Sequence, residues 1–409
     1  MKKNTLALLG GAKCCEIELP SWPHWDNRER KALMQVLESG KWWHGENVAK
    51  FEEDFAAFQD ARYGITTSSG SMALEASLLG MGIEAGDEVI VPPYTFMATA
   101  TAVVRVNAIP VFADILPDTL CLDPADVERK ITARTKAIMP VHLAGHVADM
   151  DRLRKVARAH KLRLLEDACH SWGAKWKGKG TGSLGDAGVF SFQVSKNITS
   201  AEGGISITRN KALAEEIRSY TNCGRRTGGA WYGHFVSGTN LRMTEFQAAI
   251  LLAQLSRLER QTERRASAAT FLDQSLAELP GLRRVKPDKR ITRRACHLYV
   301  MRIDPETLGV GRDRIVAALQ AEGLPCSPGY GTPLYRMAFF RQGKTMPERG
   351  CRPFAAAEVD YGQVSCPVAE DICANGIWLG QQLLLLPRAR LRGVVAAVRK
   401  VLTQAERLR

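Results

Sequence analysis

Between residues 62 and 207 short apolar runs alternate with amphipathic segments, and no other feature of the chain restricts its fold as much. Residues 62–67, 86–93, 108–113, 137–142, 162–167 and 188–192 read as strands, because they are short, rich in branched and aromatic residues, and bounded by Gly, Pro or Ser. Residues 72–79, the stretch from Tyr94 to about 106, and 149–160 read as helices. Strands separated by helices every thirty or so residues predict a mostly parallel sheet covered on both faces, because a parallel return needs a crossover element.

Sheets of this kind place their sites at the carboxyl ends of the strands. Four features fall there. Ser68-Ser69-Gly70-Ser71 joins a strand to a helix, so free N–H groups and the positive end of a helix dipole meet at an anion-sized turn; a well-capped helix explains the same residues. Phe96 follows the second strand, Asp167 ends the fifth, and Lys196 lies in the polar bend after Phe190-Ser191-Phe192. A lysine at a turn is ordinarily a solvated surface residue. Buried in a cleft, it loses its charge more easily, and the neutral amine attacks carbonyls.

Outside this region, residues 26–37 read as a helix closed by Glu38-Ser39-Gly40, and 48–58 as a second helix. Between them Lys41-Trp42-Trp43-His44-Gly45 forms an aromatic loop suited to a substrate mouth or to an interface between subunits. Residues 210–240 read as a glycine-rich connection, 244–270 as a long helix, 297–301 as a strand and 312–322 as a helix. A lobe boundary is expected near residue 260, dividing the chain into 1–260 and 261–409. The length of 409 residues suits two such lobes.

Composition excludes several classes. No apolar run is long enough to span a membrane. The start Met1-Lys2-Lys3 has the charge of a signal peptide, but its apolar part is short and Lys13 interrupts it. Ten cysteines show no CxxC pair and no metal-ligand spacing with histidine, so reduced thiols, a cytoplasmic location and no metal are expected. The net charge of +13 is spread along the chain without a nucleic-acid-binding motif, which favours solvated faces over a nucleic-acid partner.

A phosphate cradle, an aromatic that can stack on a ring, a carboxylate and an imine-forming lysine at successive strand ends are what pyridoxal 5'-phosphate (PLP) requires. The segments themselves carry a resemblance. Glu166-Asp167-Ala168-Cys169-His170, FSFQVSKNITSAEGG at 190–204, and the run from Gly238 to Ala249 resemble the DegT/DnrJ/StrS family of sugar and cyclitol aminotransferases, as do LALLGG at 6–11, GDEVIVPPYTF at 86–96 and RTKAIMPVHLAG at 134–145. The resemblance implies a fold-type I PLP enzyme of the aspartate aminotransferase superfamily, with a three-layer α/β/α large domain and a smaller α+β C-terminal domain. It implies Lys196 as the residue that holds PLP and later moves a proton, Asp167 as partner of the pyridine nitrogen, and Phe96 as the stacking ring with Tyr94 beside it. His170 would lie near the ring or its 3'-oxygen. Gly70, Ser71 and the Ser191 hydroxyl would hold the phosphate. Asn240 would reach the phosphate of a neighbouring subunit, so that a homodimer carries active sites at its interface.

Two departures matter. Where the family often has Asn-Gly-Thr in the phosphate turn, this chain has Ser69-Gly70-Ser71, which keeps the glycine and a hydroxyl. Some members replace the lysine with histidine and act as dehydratases, whereas Lys196 is present here. The implied reaction moves an amino group from L-glutamate or L-glutamine to a keto-sugar, often nucleotide-linked, or a keto-cyclitol, in amino-sugar, aminocyclitol or secondary-metabolite synthesis. The closing segment 366–379 and the loop 325–336 look most like the branch that includes aminocyclitol and 3-amino-5-hydroxybenzoate enzymes. Dehydration, elimination or cyclisation on the same cofactor stays open, and so does a non-catalytic regulatory or binding role.

Overall fold

The computed structural model describes residues 5–341 and 359–409; the Met1-Lys2-Lys3 start and Cys351 lie outside them. Strands are β1 Tyr63–Thr67, β2 Glu88–Val91, β3 Ile109–Phe112, β4 Thr135–Ile138, β5 Arg163–Asp167, β6 Lys175–Trp176, β7 Lys179–Gly180, β8 Ala187–Ser191 and β9 Gly204–Thr208, followed by β10 Leu282–Arg284, β11 Ile291–Arg293, β12 Leu298–Ile303 and β13 Gly376–Gly380. Seven of them form one sheet in the order β1-β9-β8-β5-β4-β2-β3. The pairs from β3 through β2, β4 and β5 to β8 are parallel, and only β9 runs against its neighbours β8 and β1. Every residue of β2, β8 and β9 is buried, as expected of strands with both faces covered. The expected mostly parallel, helix-covered sheet is therefore the fold observed.

Local signals set the helix ends. Asp26 closes a capping box with Glu29 ahead of Asn27–Ser39, and Gly40 ends that helix with φ +65°. Ser69 caps Gly70–Gly80 by accepting from the N–H of Met72, and Thr244 forms a capping box with Gln247. The helix read from Tyr94 begins at Ala98, the strand read over 137–142 spans Thr135–Ile138, and two further elements differ from the sequence reading. The long helix runs over Glu245–Ser275, past residue 270. The stretch read as a glycine-rich connection begins with a helix, Lys211–Thr221, capped by Asn210. Its Leu213, Ala214 and Ile217 are buried in the main core, and Ile217 sits so close to Gly80 that a Cβ there would lie 2.6 Å from it.

Helix Glu245–Ser275 joins two cores. Its first half packs Ala248, Leu251 and Leu258 against Phe51, Phe55 and Phe192 beneath the large sheet. Its second half packs Ala268, Ala269 and Leu272 with Met301, Ile315, Val394 and Val398 around the antiparallel sheet β10-β12-β13. Leu6, from the N-terminal segment, is fully buried in that second core. Among the described residues no helix is long and apolar enough to cross a membrane.

Candidate active site

A cavity of about 690 Å³ opens where the large sheet's strands end, lined by Gly70 and Ser71 after β1, Phe96 after β2, Asp167 and Ser191 at the ends of β5 and β8, and Lys196 in the bend that follows. His170 lines it as well. Seven of the eight residues singled out from the sequence thus share one space. The eighth, Asn240, is not among the lining residues; it bridges to Asn222, and its Oδ1 accepts from the N–H of Arg242 at 3.4 Å. Tyr94, expected beside Phe96, is buried behind the wall instead, where its hydroxyl accepts from Nε1 of Trp378 at 3.1 Å. Phe96 itself is 61% exposed in the single chain.

Alternation along β5 separates two adjacent carboxylates. Glu166 turns away from the cavity and accepts from the N–H groups of Gly182, Leu184 and Gly185 and from Nε2 of His142, whose Nδ1 is occupied by the N–H of Ala148. It is a structural anchor. Asp167, on the other face, takes the Thr99 hydroxyl at 2.8 Å on Oδ2 and the N–H of Cys169 at 3.2 Å on Oδ1. Thr99 in turn shares a hydrogen bond with Thr95, one turn earlier at 3.0 Å.

The phosphate-like turn has free donors. Ser69 takes the Met72 N–H with its own hydroxyl, and the N–H groups of Gly70 and Ser71 at the head of the helix face the cavity end. A Cβ on residue 70 would lie 2.7 Å from the Cβ of Ser191, so glycine is what lets these two walls meet. Gly204 answers the same need on β9, where a side chain would collide with the backbone of Ser69.

Lys196 is held in a pinned loop. Its N–H donates to Gln193 at 2.9 Å, Thr199 donates to the Phe192 carbonyl, and Asn197 Nδ2 donates to the Ala295 carbonyl at 3.1 Å. The ammonium lies 5.9 Å from the Trp172 ring centroid. Burial pushes its pKa below that of an ordinary lysine, against the pull of Cys169 and Asp167. Two imidazoles complete the wall. His170 and His297 lie with ring centroids 4.5 Å apart and planes tilted by 40°. The Ala144 N–H occupies Nδ1 of His170, which leaves its proton on Nε2. Asn197, oriented by Ala295, accepts from Nδ1 of His297, which leaves that ring's lone pair on Nε2. The site therefore presents a donor and an acceptor side by side. Thr99, His297, Tyr330, Trp378 and Gln381 also belong to this region and were not picked out as site residues by sequence reasoning; Tyr330 and Trp378 carried a signal, within the loop 325–336 and the closing segment 366–379.

Burial, followed by the charge of Lys196, holds His170 and His297 well below 6.5, and burial takes His146 down to about 3. In each case the unfolded histidine binds a proton that the folded one refuses. The stabilisation is present above pH 6.5 and is lost as pH falls from there towards the folded value, at about 1.4 kcal/mol per pH unit per group. For the cofactor-free protein, urea midpoints are expected to drop steeply between pH 6.5 and 5. His146→Gln should flatten that slope; an unchanged slope would show that His146 is protonated in the fold.

Comparison with known proteins bears on the same site. Residues 23–399 match the model of the DegT/DnrJ/EryC1/StrS aminotransferase family. The L-glutamine:2-deoxy-scyllo-inosose aminotransferase of Streptoalloteichus tenebrarius is 37% identical over 415 residues, covering 95% of this chain and 96% of that protein. The crystal structure of 3-amino-5-hydroxybenzoic acid synthase superposes with a TM-score of 0.84 at 34% identity, over 95% of this chain and 99% of that one. NtdA from Bacillus subtilis, solved with bound cofactor PMP, gives a TM-score of 0.80 at 26% identity over 92% and 82% of the two chains.

Proposed function

Because the chain belongs to the DegT/DnrJ/EryC1/StrS aminotransferase family, we propose that it moves an amino group from L-glutamine or L-glutamate to a keto-cyclitol or keto-sugar, with PLP as the cofactor of its cavity. The observation that carries this reading is the placement of a buried, easily neutralised Lys196 in one cavity with Asp167 and with the free N–H groups of Gly70 and Ser71. Those residues fit the cofactor: the turn suits a dianionic phosphate, and the Gly70–Ser191 approach leaves it no side chain to displace. When bound, PLP supplies an electron sink for charge that develops on the substrate carbon.

The roles of this chain's own residues follow. Gly70, Ser71 and the Ser191 hydroxyl bind the phosphate. Asp167, oriented by Thr99, would hold a proton on the cofactor's ring nitrogen. Phe96 would pack on the cofactor's ring, and the Nε2–H of His170 is a donor that a ring oxygen could accept. Lys196 would hold the cofactor, and its Nζ, with a pKa lowered by burial, is the group that would move a proton. Asn240 lies away from its own chain's cavity, which supports a homodimer in which it reaches the neighbour's phosphate. Trp42, Trp43, Trp231 and Tyr232, all more than half exposed in the single chain, suit such an interface. We further infer two lobes, 1–260 and 261–409, with their boundary inside helix Glu245–Ser275. Nine free cysteines among the described residues agree with a cytoplasmic location.

Absorbance of the purified holoenzyme tests the reading. L-glutamine or L-glutamate is expected to remove the band of the lysine-bound cofactor with release of the 2-oxo acid, and a keto-cyclitol or nucleotide-linked keto-sugar to restore it. A band that neither donor changes would move the assignment to elimination or cyclisation chemistry.

A further inference from the structure

Helix Glu245–Ser275 buries a guanidinium that has no counter-charge. Arg265 is fully buried, and its Nε and Nη2 donate to Oε1 of Gln381 at 3.1 and 2.6 Å. The Trp22 ring centroid lies 5.5 Å from its Cζ. Among the described residues no carboxylate pairs with Arg265, and two buried donors of the pair, Nη1 of Arg265 and Nε2 of Gln381, have no acceptor. Burial lowers the Arg265 pKa to about 9. A cation kept out of water without a partner is costly, and so is each unmade hydrogen bond.

The place of this pair in the fold says what it serves. Gln381 follows directly on β13 and lines the same cavity as Lys196. The β12–β13 register sets Leu298 opposite Gly380, which brings His297 and Gln381 side by side at one end of the small sheet. His297 and Lys196 both line the cavity, and the charges of Lys196 and of Arg265 both lower the pKa of His297. Arg265 polarises the Gln381 amide through Oε1, which strengthens Nε2–H as a donor. A positive charge and unused N–H donors together complement a carboxylate.

We propose that Gln381, polarised by its hydrogen bonds from Arg265, binds a carboxylate of the amino donor. This rests on the aminotransferase reading of the cavity. Gln381 is thus a specificity-determining residue of the first half-reaction, and Arg265 acts through it as a positioning residue.

The test follows the loss of the lysine-bound cofactor band in single turnovers of wild type, Gln381→Leu, Gln381→Glu and Arg265→Met, with L-glutamine, L-glutamate and the carboxylate-free L-glutaminamide as probes. Gln381→Leu is expected to raise the Kd of the carboxylate donors about tenfold to a hundredfold, with the limiting rate little changed and L-glutaminamide unaffected. A loss with both L-glutamine and L-glutamate identifies the α-carboxylate; a loss with L-glutamate alone identifies the side-chain carboxylate. Gln381→Glu should pair with Arg265 and raise Tm while repelling the donor, so stability and donor affinity move in opposite directions. Unchanged Kd values in Gln381→Leu, or equal losses for L-glutamine and L-glutaminamide, would overturn the proposal whether or not Arg265→Met folds. A wild type that consumes no donor at all would instead overturn the aminotransferase reading, and this proposal with it.

Discussion

Lys196→Ala is expected to abolish transamination, lowering turnover by more than about 10³-fold, because it removes both the attachment point and the group that moves the proton. The purified variant should lack the lysine-bound absorbance band and release no 2-oxo acid from L-glutamine. Lys196→Arg keeps the positive charge but has no amine that can form an imine, so it should fail in the same way. Stability sets this apart from misfolding. Burial lowers the lysine's folded pKa, so at neutral pH folding must desolvate or discharge an amine that is charged in the unfolded chain. Removing it should leave the Tm of the cofactor-free protein equal or higher. A variant that retains the band and the activity would sink the assignment of Lys196.

The second large effect is at Asp167. Asp167→Asn keeps an acceptor for the Cys169 N–H and turns its NH2 towards Thr99, whose hydroxyl can rotate to accept it and donate to Thr95 instead, so the local structure should survive. The negative charge disappears, and with it the means to hold a proton on a ring nitrogen. Turnover is expected to fall by about 10²–10³-fold, as when one preorganised electrostatic group is removed, with Tm near that of wild type. Thr99→Val should cause a smaller loss by the same route, because it frees the carboxylate to rotate. Full activity in Asp167→Asn would reassign the carboxylate to a purely structural role.

Much of this site is legible along the chain because its parts are local. A strand followed by a turn has one carboxyl end whatever the rest of the molecule does, so Gly70, Ser71, Asp167, Ser191 and Lys196 could be placed at strand ends from period and punctuation. The two-residue period of a strand also separates Glu166 from Asp167, although only packing shows which of the two faces the cavity. The helix Lys211–Thr221 had its local signs in the Asn210 cap and the spacing of Leu213 and Ile217. The cluster of glycines from Gly224 onward obscured them.

What the chain by itself determined is the alternation of strands and helices, and with it a parallel sheet whose strand ends bear a lysine, a carboxylate and a glycine turn. What only the tertiary structure decided is which distant groups meet there. His297 and Gln381 reach the cavity from the ends of two neighbouring strands of the second sheet, and Thr99 from one turn beyond Phe96, while Arg265, in a long helix, meets Gln381 behind the wall. Tyr94 is drawn behind the wall by Trp378, 284 residues away in sequence. Contacts at such separations depend on how elements pack, and local periodicity does not encode packing partners. The tautomers of His170 and His297 are decided the same way, by backbone groups of Ala144 and Ala295 that fold alone brings within hydrogen-bonding distance.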